Sequence, residues 1–116
     1  MSECREVNIN GNIYVRKDVQ VEGMPYVIAR TYSAGVFAGY LANRDGQEVE
    51  LKNARRLWYW SGAASLSQLA MEGVKHPNNC KFPCEVDSIL LTQVIEIIHA
   101  TEQAKRSIGE VPVWKA

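Results

Sequence analysis

The sequence predicts an α+β fold, an antiparallel β-sheet meander with short helices toward the C-terminus. Three observations carry that expectation. Residues 25–32 alternate faces in the two-residue period of a strand. Asp45-Gly46 follows a second β-rich run and accepts the positive φ that tight hairpin turns need. Helix start signals occur only later, at Ser65 and Thr101.

Taken in order, residues 1–24 form an N-terminal arm, in which Val7 to Val15 resembles a small hairpin turning at Asn10-Gly11. Pro25 to Tyr32 is a strand, with Tyr26, Ile28, Arg30 and Tyr32 on one face and Val27, Ala29 and Thr31 on the other. Ser33-Ala34-Gly35 is a turn and Val36 to Leu41 the next strand. Glu48 to Trp60 completes the meander after the Asn43-Arg44-Asp45-Gly46 hairpin. Ser65 to Met71 is a short helix, with Ser65 and Gln68 at capping-box spacing and Gly73 as its stop. Residues 75–79 read as a loop. From Cys84 to His99 the residues Ile89, Leu90, Leu91, Val94, Ile95, Ile97 and Ile98 suit a buried helix or buried strands, and the β-branched enrichment favours one or two strands. Thr101 caps a last helix through Ser107, and Pro112 leaves Val113-Trp114-Lys115 as a tail.

The 116 residues suit one ligand-binding domain, residues 25–116, after the arm. Thirteen basic residues balance thirteen acidic ones. A protein that tracks a long nucleic-acid backbone usually carries a positive excess, so a basic site here is local and small. No signal-peptide pattern begins the chain and no run reaches the ~18 apolar residues of a membrane span. Three cysteines without an export signal point to reduced thiols in a cytosol.

The chemistry concentrates between Asn53 and Ser67, where two arginines stand beside Trp58, Tyr59 and Trp60 and a Ser/Gly/Ala turn follows. Guanidinium groups bind phosphate, indoles offer a face to a purine, and turn N–H groups can cradle an anion. Strand alternation puts Arg56, Trp58 and Trp60 on one face, joined by Lys52 and Ala54 if no bulge intervenes. Val49, Leu51, Arg55, Leu57 and Tyr59 face the other way. The same pattern also suits a half-buried strand whose indoles pack on a helix or a second subunit. A second candidate is Arg30 with the small residues of the next turn, where Gly35 and Gly39 admit close backbone approach. His76, Cys80 and Cys84 do not match structural zinc spacing and lack a fourth ligand. No Gly-x-Ser-x-Gly elbow is present, and no general base can be assigned.

Arg30-Thr31-x-Ser33-Ala34-Gly35-Val36-Phe37-x-Gly39, Asn53 through Ala64, Asn79-Cys80-Lys81-Phe82, Thr101-Glu102 and Val113-Trp114 together resemble the small phage Thoeris anti-defence family of signal sponges. The resemblance runs from about residue 25 to the C-terminus and leaves the arm outside it. It implies a homodimer or hexamer that binds cyclic ADP-ribose isomers made by bacterial TIR-domain proteins and sequesters them without cleavage. It places the ligand between subunits, in the cytoplasm of the infected bacterial host, with no cofactor and no membrane. Carried onto this chain, it implies ligand-binding roles for Arg56, Phe82 and Arg106, with Trp58, Trp60 and Lys81 close by. Phe82 would stack on adenine and the arginines would neutralise the pyrophosphate. A second site for cyclic trinucleotides would lie near Arg30, Ala34 and Gly35. Two other functions use the same groups. A single-stranded nucleic-acid-binding phage accessory protein fits the Arg and Trp residues but not the zero net charge. A cyclic-nucleotide-degrading enzyme lacks its base.

Overall fold

The structure is a computed structural model that describes residues 6–9, 12–15 and 23–115. Strands β1 (Glu6–Ile9) and β2 (Asn12–Val15) pair antiparallel, as the arm's hairpin reading expects, while the Asn10-Gly11 turn lies outside the described residues. The main sheet holds β3 (Tyr26–Thr31), β4 (Val36–Asp45), β5 (Glu48–Arg56), β6 (Val86–Leu91) and β7 (Val94–His99). Its order is β6-β5-β4-β3-β7, antiparallel throughout. Helix α1 (Leu66–Glu72) and a single 3₁₀ turn (Pro77–Asn79) lie between β5 and β6, and α2 (Glu102–Glu110) follows β7. The fold is therefore α+β. The apolar run up to His99 forms two strands.

One connection shapes the sheet. Thr92 and Gln93 alone join β6 to β7, which are opposite edges. In a flat sheet four inter-strand gaps would hold those edges ~19 Å apart. Three peptide units reach only ~11 Å. The sheet therefore rolls until its edges converge at this end. The Val94 N–H donates to the Gln47 carbonyl at 3.0 Å and the Tyr32 N–H to the Gln93 carbonyl at 2.9 Å, fixing that closure.

Rolling gives the sheet two buried faces. Val27, Ala29, Phe37, Val49, Leu51, Ala54, Leu91 and Val94 fill the inside. Ile28, Ala38 and Leu57 point outward, under a layer of Leu69, Ala70, Val74, Phe82, Ile108 and Val111 that includes both helices. Strict polar alternation is lost in β3 for this reason, since Val27, Ile28 and Ala29 are all buried.

A bulge decides which residues of β5 face which core. Ala38 pairs with Arg55 but Tyr40 pairs with Lys52, so one extra residue lies on β5. Asn53 takes it up with φ 49°, a left-handed conformation that Asn tolerates better than most residues. Gly39 lies opposite, where a Cβ would meet the Ala54 Cα and the Lys52 carbonyl oxygen, each at 3.1 Å. The bulge reverses the parity, so Lys52 does not share a face with Arg56, and Val49 and Leu51 lie opposite to Arg55 and Leu57. Other boundaries also move. β5 ends at Arg56 rather than Trp60, β4 extends to Asp45, and α2 continues to Glu110.

Arg55, only 3% exposed, binds the C-terminal half of the chain to this sheet. Its Nε donates to the Pro83 carbonyl at 2.8 Å and Nη1 to Ile108 at 2.8 Å. Nη2 donates to Phe82 at 3.1 Å and Val111 at 2.7 Å. Ile108 and Val111 belong to the C-terminal end of α2, where the helix dipole favours a cation. Burial pushes the guanidinium pKa down and the Glu85 carboxylate opposes that shift. The group stays charged because arginine's ordinary pKa is so high.

The helices hold each other by their ends. Thr101 caps α2 by accepting from the Ala104 N–H at 3.1 Å and donates to the Met71 carbonyl at 2.7 Å. Gly73 ends α1 with φ 78°, and a Cβ there would collide with Ser107 of α2. Ser107 uses the space, accepting from the Val74 N–H at 2.9 Å.

Replacing Arg55 by Met should cost about 3–5 kcal/mol, because four carbonyls, three of them in buried bonds, lose their donor. Arg55→Lys should recover only part of this, lacking the fork that reaches four oxygens. Urea denaturation of the three proteins checks both statements.

Candidate functional site

The turn between β3 and β4 is locked from below. The Thr31 hydroxyl donates to the Gly35 carbonyl at 2.7 Å and accepts from the Ala34 N–H at 2.8 Å, and the Thr31 N–H donates to the same carbonyl at 3.0 Å. Gly35 has φ 102°, which a side chain would resist. Ser33, Ala34 and Gly35 thus form a small-residue rim.

Arg56 faces this rim from the last position of β5, paired with Phe37. Its guanidinium carbon sits 4.6 Å from the Phe37 ring centroid, and Nη1 donates to the Ala34 carbonyl at 3.2 Å. These contacts orient the side chain while leaving it exposed. Among the described residues it forms no ion pair. The chain then leaves the sheet. Leu57 is buried, Trp58 is 62% exposed and Trp60 is half-buried. A cleft of about 460 Å³ lies between turn and strand end, lined by Ser33, Ala34, Gly35, Arg56, Trp58 and Trp60 together with Val36 and Leu57. It gathers Arg56, Trp58 and Trp60 with the Ala34 and Gly35 of the second candidate. Ser33 is the polar member that sequence reasoning did not single out, although it adjoins the Ala34-Gly35 pair.

The other candidates lie elsewhere. Arg30 binds Glu96 of β7, Nε to Oε1 at 2.8 Å, and does not line this cleft. Lys81 exchanges backbone hydrogen bonds with Tyr59 and holds its Nζ 5.6 Å from the Trp114 ring centroid. Phe82 is 0% exposed, so its ring is enclosed here and lines no part of this cleft. Its ring packs in the outer core, with the Arg55 guanidinium carbon 5.5 Å from its centroid. Nothing in the local sequence separates Phe82 from an exposed stacking ring, because its burial is set by Arg55 and α2. Arg106 lies on α2 and lines a different cleft, of about 410 Å³, with Glu72, Lys75 and Glu110.

Chemically, the Arg56 cleft offers a cation, two indoles and a narrow turn. Its lining, among the described residues, holds no carboxylate, histidine or cysteine. Among the described residues no three His, Cys, Asp or Glu side chains are placed to hold a metal ion, and no helix is long and apolar enough to cross a membrane. The Cys80 thiol is buried and donates to the His76 carbonyl at 3.4 Å.

Residues 24–108 match a family described as "Domain of unknown function (DUF6948)". No curated protein and no solved structure matches the chain.

Three substitutions separate site from scaffold. Arg56→Ala should cost no more than about 1 kcal/mol, the scale of an exposed cation–π contact. Trp58→Ala should leave stability within about 0.5 kcal/mol. Phe82→Ala should lose about 3–5 kcal/mol by opening a cavity. Thermal melts of the three variants measure the contrast.

Proposed function

The chain belongs to this family of unknown function, and we propose that it is a non-catalytic nucleotide-binding protein, a phage sponge that sequesters cyclic ADP-ribose isomers made by bacterial TIR proteins and so blocks Thoeris signalling. The single observation carrying this reading is the cleft where the oriented Arg56 meets Trp58, Trp60 and the Ser33–Gly35 rim. A guanidinium held by Phe37 and a backbone carbonyl retains donors for a phosphate and loses little freedom on binding. An indole accepts a purine face. A sponge needs retention and no chemistry, which suits a lining without a general base.

In this reading the protein works in the host cytoplasm as a homodimer or hexamer with the ligand between subunits. Assembly would also give Arg106, remote from Arg56 within one chain, a route to the ligand. The residues proposed to bind are Arg56, Trp58 and Trp60, with the rim of Ala34 and Gly35 beside them. Lys81 pairs through its backbone with Tyr59, the residue between the two indoles, and does not itself line the cleft. A second reading has one observation in its favour. Trp58, Tyr59 and Trp114 are exposed, and stacked single-stranded bases use such rings.

Capture and release distinguishes the readings. The protein is mixed with a cyclic ADP-ribose isomer, freed of unbound ligand by filtration, heated, and its released ligand identified by mass spectrometry. The sponge reading expects intact ligand from the wild type and at least a tenfold loss of retention with Arg56→Ala, the effect of removing one charge-assisted phosphate contact. Degraded ligand would mean an enzyme. Retention of single-stranded DNA in place of the cyclic nucleotide would favour the second reading.

A further inference from the structure

The pair β1–β2 and the edge of the main sheet are each incomplete. Among the described residues the pair bonds to no other strand. A two-stranded hairpin alone is at best marginally stable in water. The pair also precedes residues 24–108, the part that the family match covers. It is an addition to the family's domain.

β6 is the uncovered edge of the sheet. It carries two exposed apolar residues, Val86 at 44% and Leu90 at 60%, and a strand edge of that kind invites a further strand. The opposite edge, β7, is already guarded. Its first N–H is taken by the Gln47 carbonyl, its register shifts between Arg30 and Thr31, and its Glu96 pairs with Arg30. Irregular and charged edges of this sort resist pairing.

The chain can bring hairpin and edge together. Tyr26, Tyr40, Lys52 and Ser88 pair in one row across β3, β4, β5 and β6. A strand added beyond β6 stands four gaps, ~19 Å along that row, from the start of β3. The ten residues 16–25 that join β2 to β3 span up to ~33 Å. A connection that short also gives the arm a far higher effective concentration at its own edge than at another copy's. Charge sets the direction. Glu85 precedes β6 and Asp87 lies near its start, while Arg16-Lys17 directly follow β2. An antiparallel β2 brings its basic end to that acidic start, and a parallel one would carry it to the far end at Leu91.

We infer that the N-terminal hairpin docks on its own domain along β6, with β2 next to β6 and antiparallel to it. The strand order becomes β1-β2-β6-β5-β4-β3-β7, antiparallel throughout. The arm is then a cover for the one edge that the family's domain leaves bare at Val86 and Leu90. This is independent of the reading of the Arg56 cleft.

Hydrogen exchange of the full chain, read by mass spectrometry, tests the docking. In the wild type, the β6 amides that do not bond to β5 should be protected. Ile13→Pro with Val15→Pro, which removes two strand N–H groups from β2, should speed their exchange about tenfold or more. The amides of Ala29 and Ala38 should keep their rates, showing that the domain remains folded. Arg16→Glu with Lys17→Glu should also speed β6 exchange, and adding Asp87→Lys should restore protection. Equal β6 exchange in the wild type and the proline variant would overturn the docking, as would a change confined to Val94–His99. β6 protection that rises with protein concentration would put a second copy's arm on the edge and overturn the assignment to the same chain. Charge reversal without effect would overturn the antiparallel direction.

Discussion

Arg55 is the constraint on which the rest of this architecture depends. It is a buried cation whose fork reaches four backbone carbonyls, two beside Phe82 and two at the end of α2. The long excursion between β5 and β6 and the C-terminal helix pack on the sheet through their apolar layer, and this side chain ties both to one strand. A buried charge is costly unless its donors are satisfied, and here burial and satisfaction require each other. Losing the end of α2 would take away two of the guanidinium's four acceptors.

The adjacent arginine has the opposite fate for a geometric reason. Successive strand residues point to opposite faces, so fixing Arg55 outward under the helices sends Arg56 toward the mouth of the rolled sheet. The bulge at Asn53 sets that parity relative to the first half of β5, and Gly39 gives the bulge its space. At the mouth, Arg56 meets Phe37 and the carbonyl of Ala34, two contacts that fix its direction without neutralising it. Consecutive residues thus take different parts, Arg55 holding the fold through backbone oxygens and Arg56 lining the cleft that we propose as the nucleotide site.

Much of this was legible in the sequence. The alternation of residues 25–32, the Asp45-Gly46 turn, the Ser65 and Thr101 caps and the β-branched run before His99 each gave the element observed, because each rests on local chemistry. The Ser65 hydroxyl accepts from the Gln68 N–H at 3.1 Å, as the capping spacing anticipates, while Gln68 reaches one residue further back, to the Ala64 N–H. What escaped depends on distant partners. Nothing near Asn53 announces a bulge whose cause is Gly39 on another strand. Phe82 resembles a stacking ring until Arg55 and α2 enclose it. Arg30 resembles a phosphate ligand until β7 brings Glu96 beside it. The grouping of Arg56 with Ala34 and Gly35 needed the rolled sheet, since 21 or more residues separate them in sequence.

The most direct measurement of the central claim is a crystal structure of the protein with a bound cyclic ADP-ribose isomer. The account predicts phosphate oxygens within hydrogen-bond distance of the Arg56 guanidinium and the purine against Trp58 or Trp60, with Phe82 still enclosed. A ligand seated on α2 at Arg106 with Arg56 untouched, or stacked on a Phe82 ring turned out of the core, would contradict it.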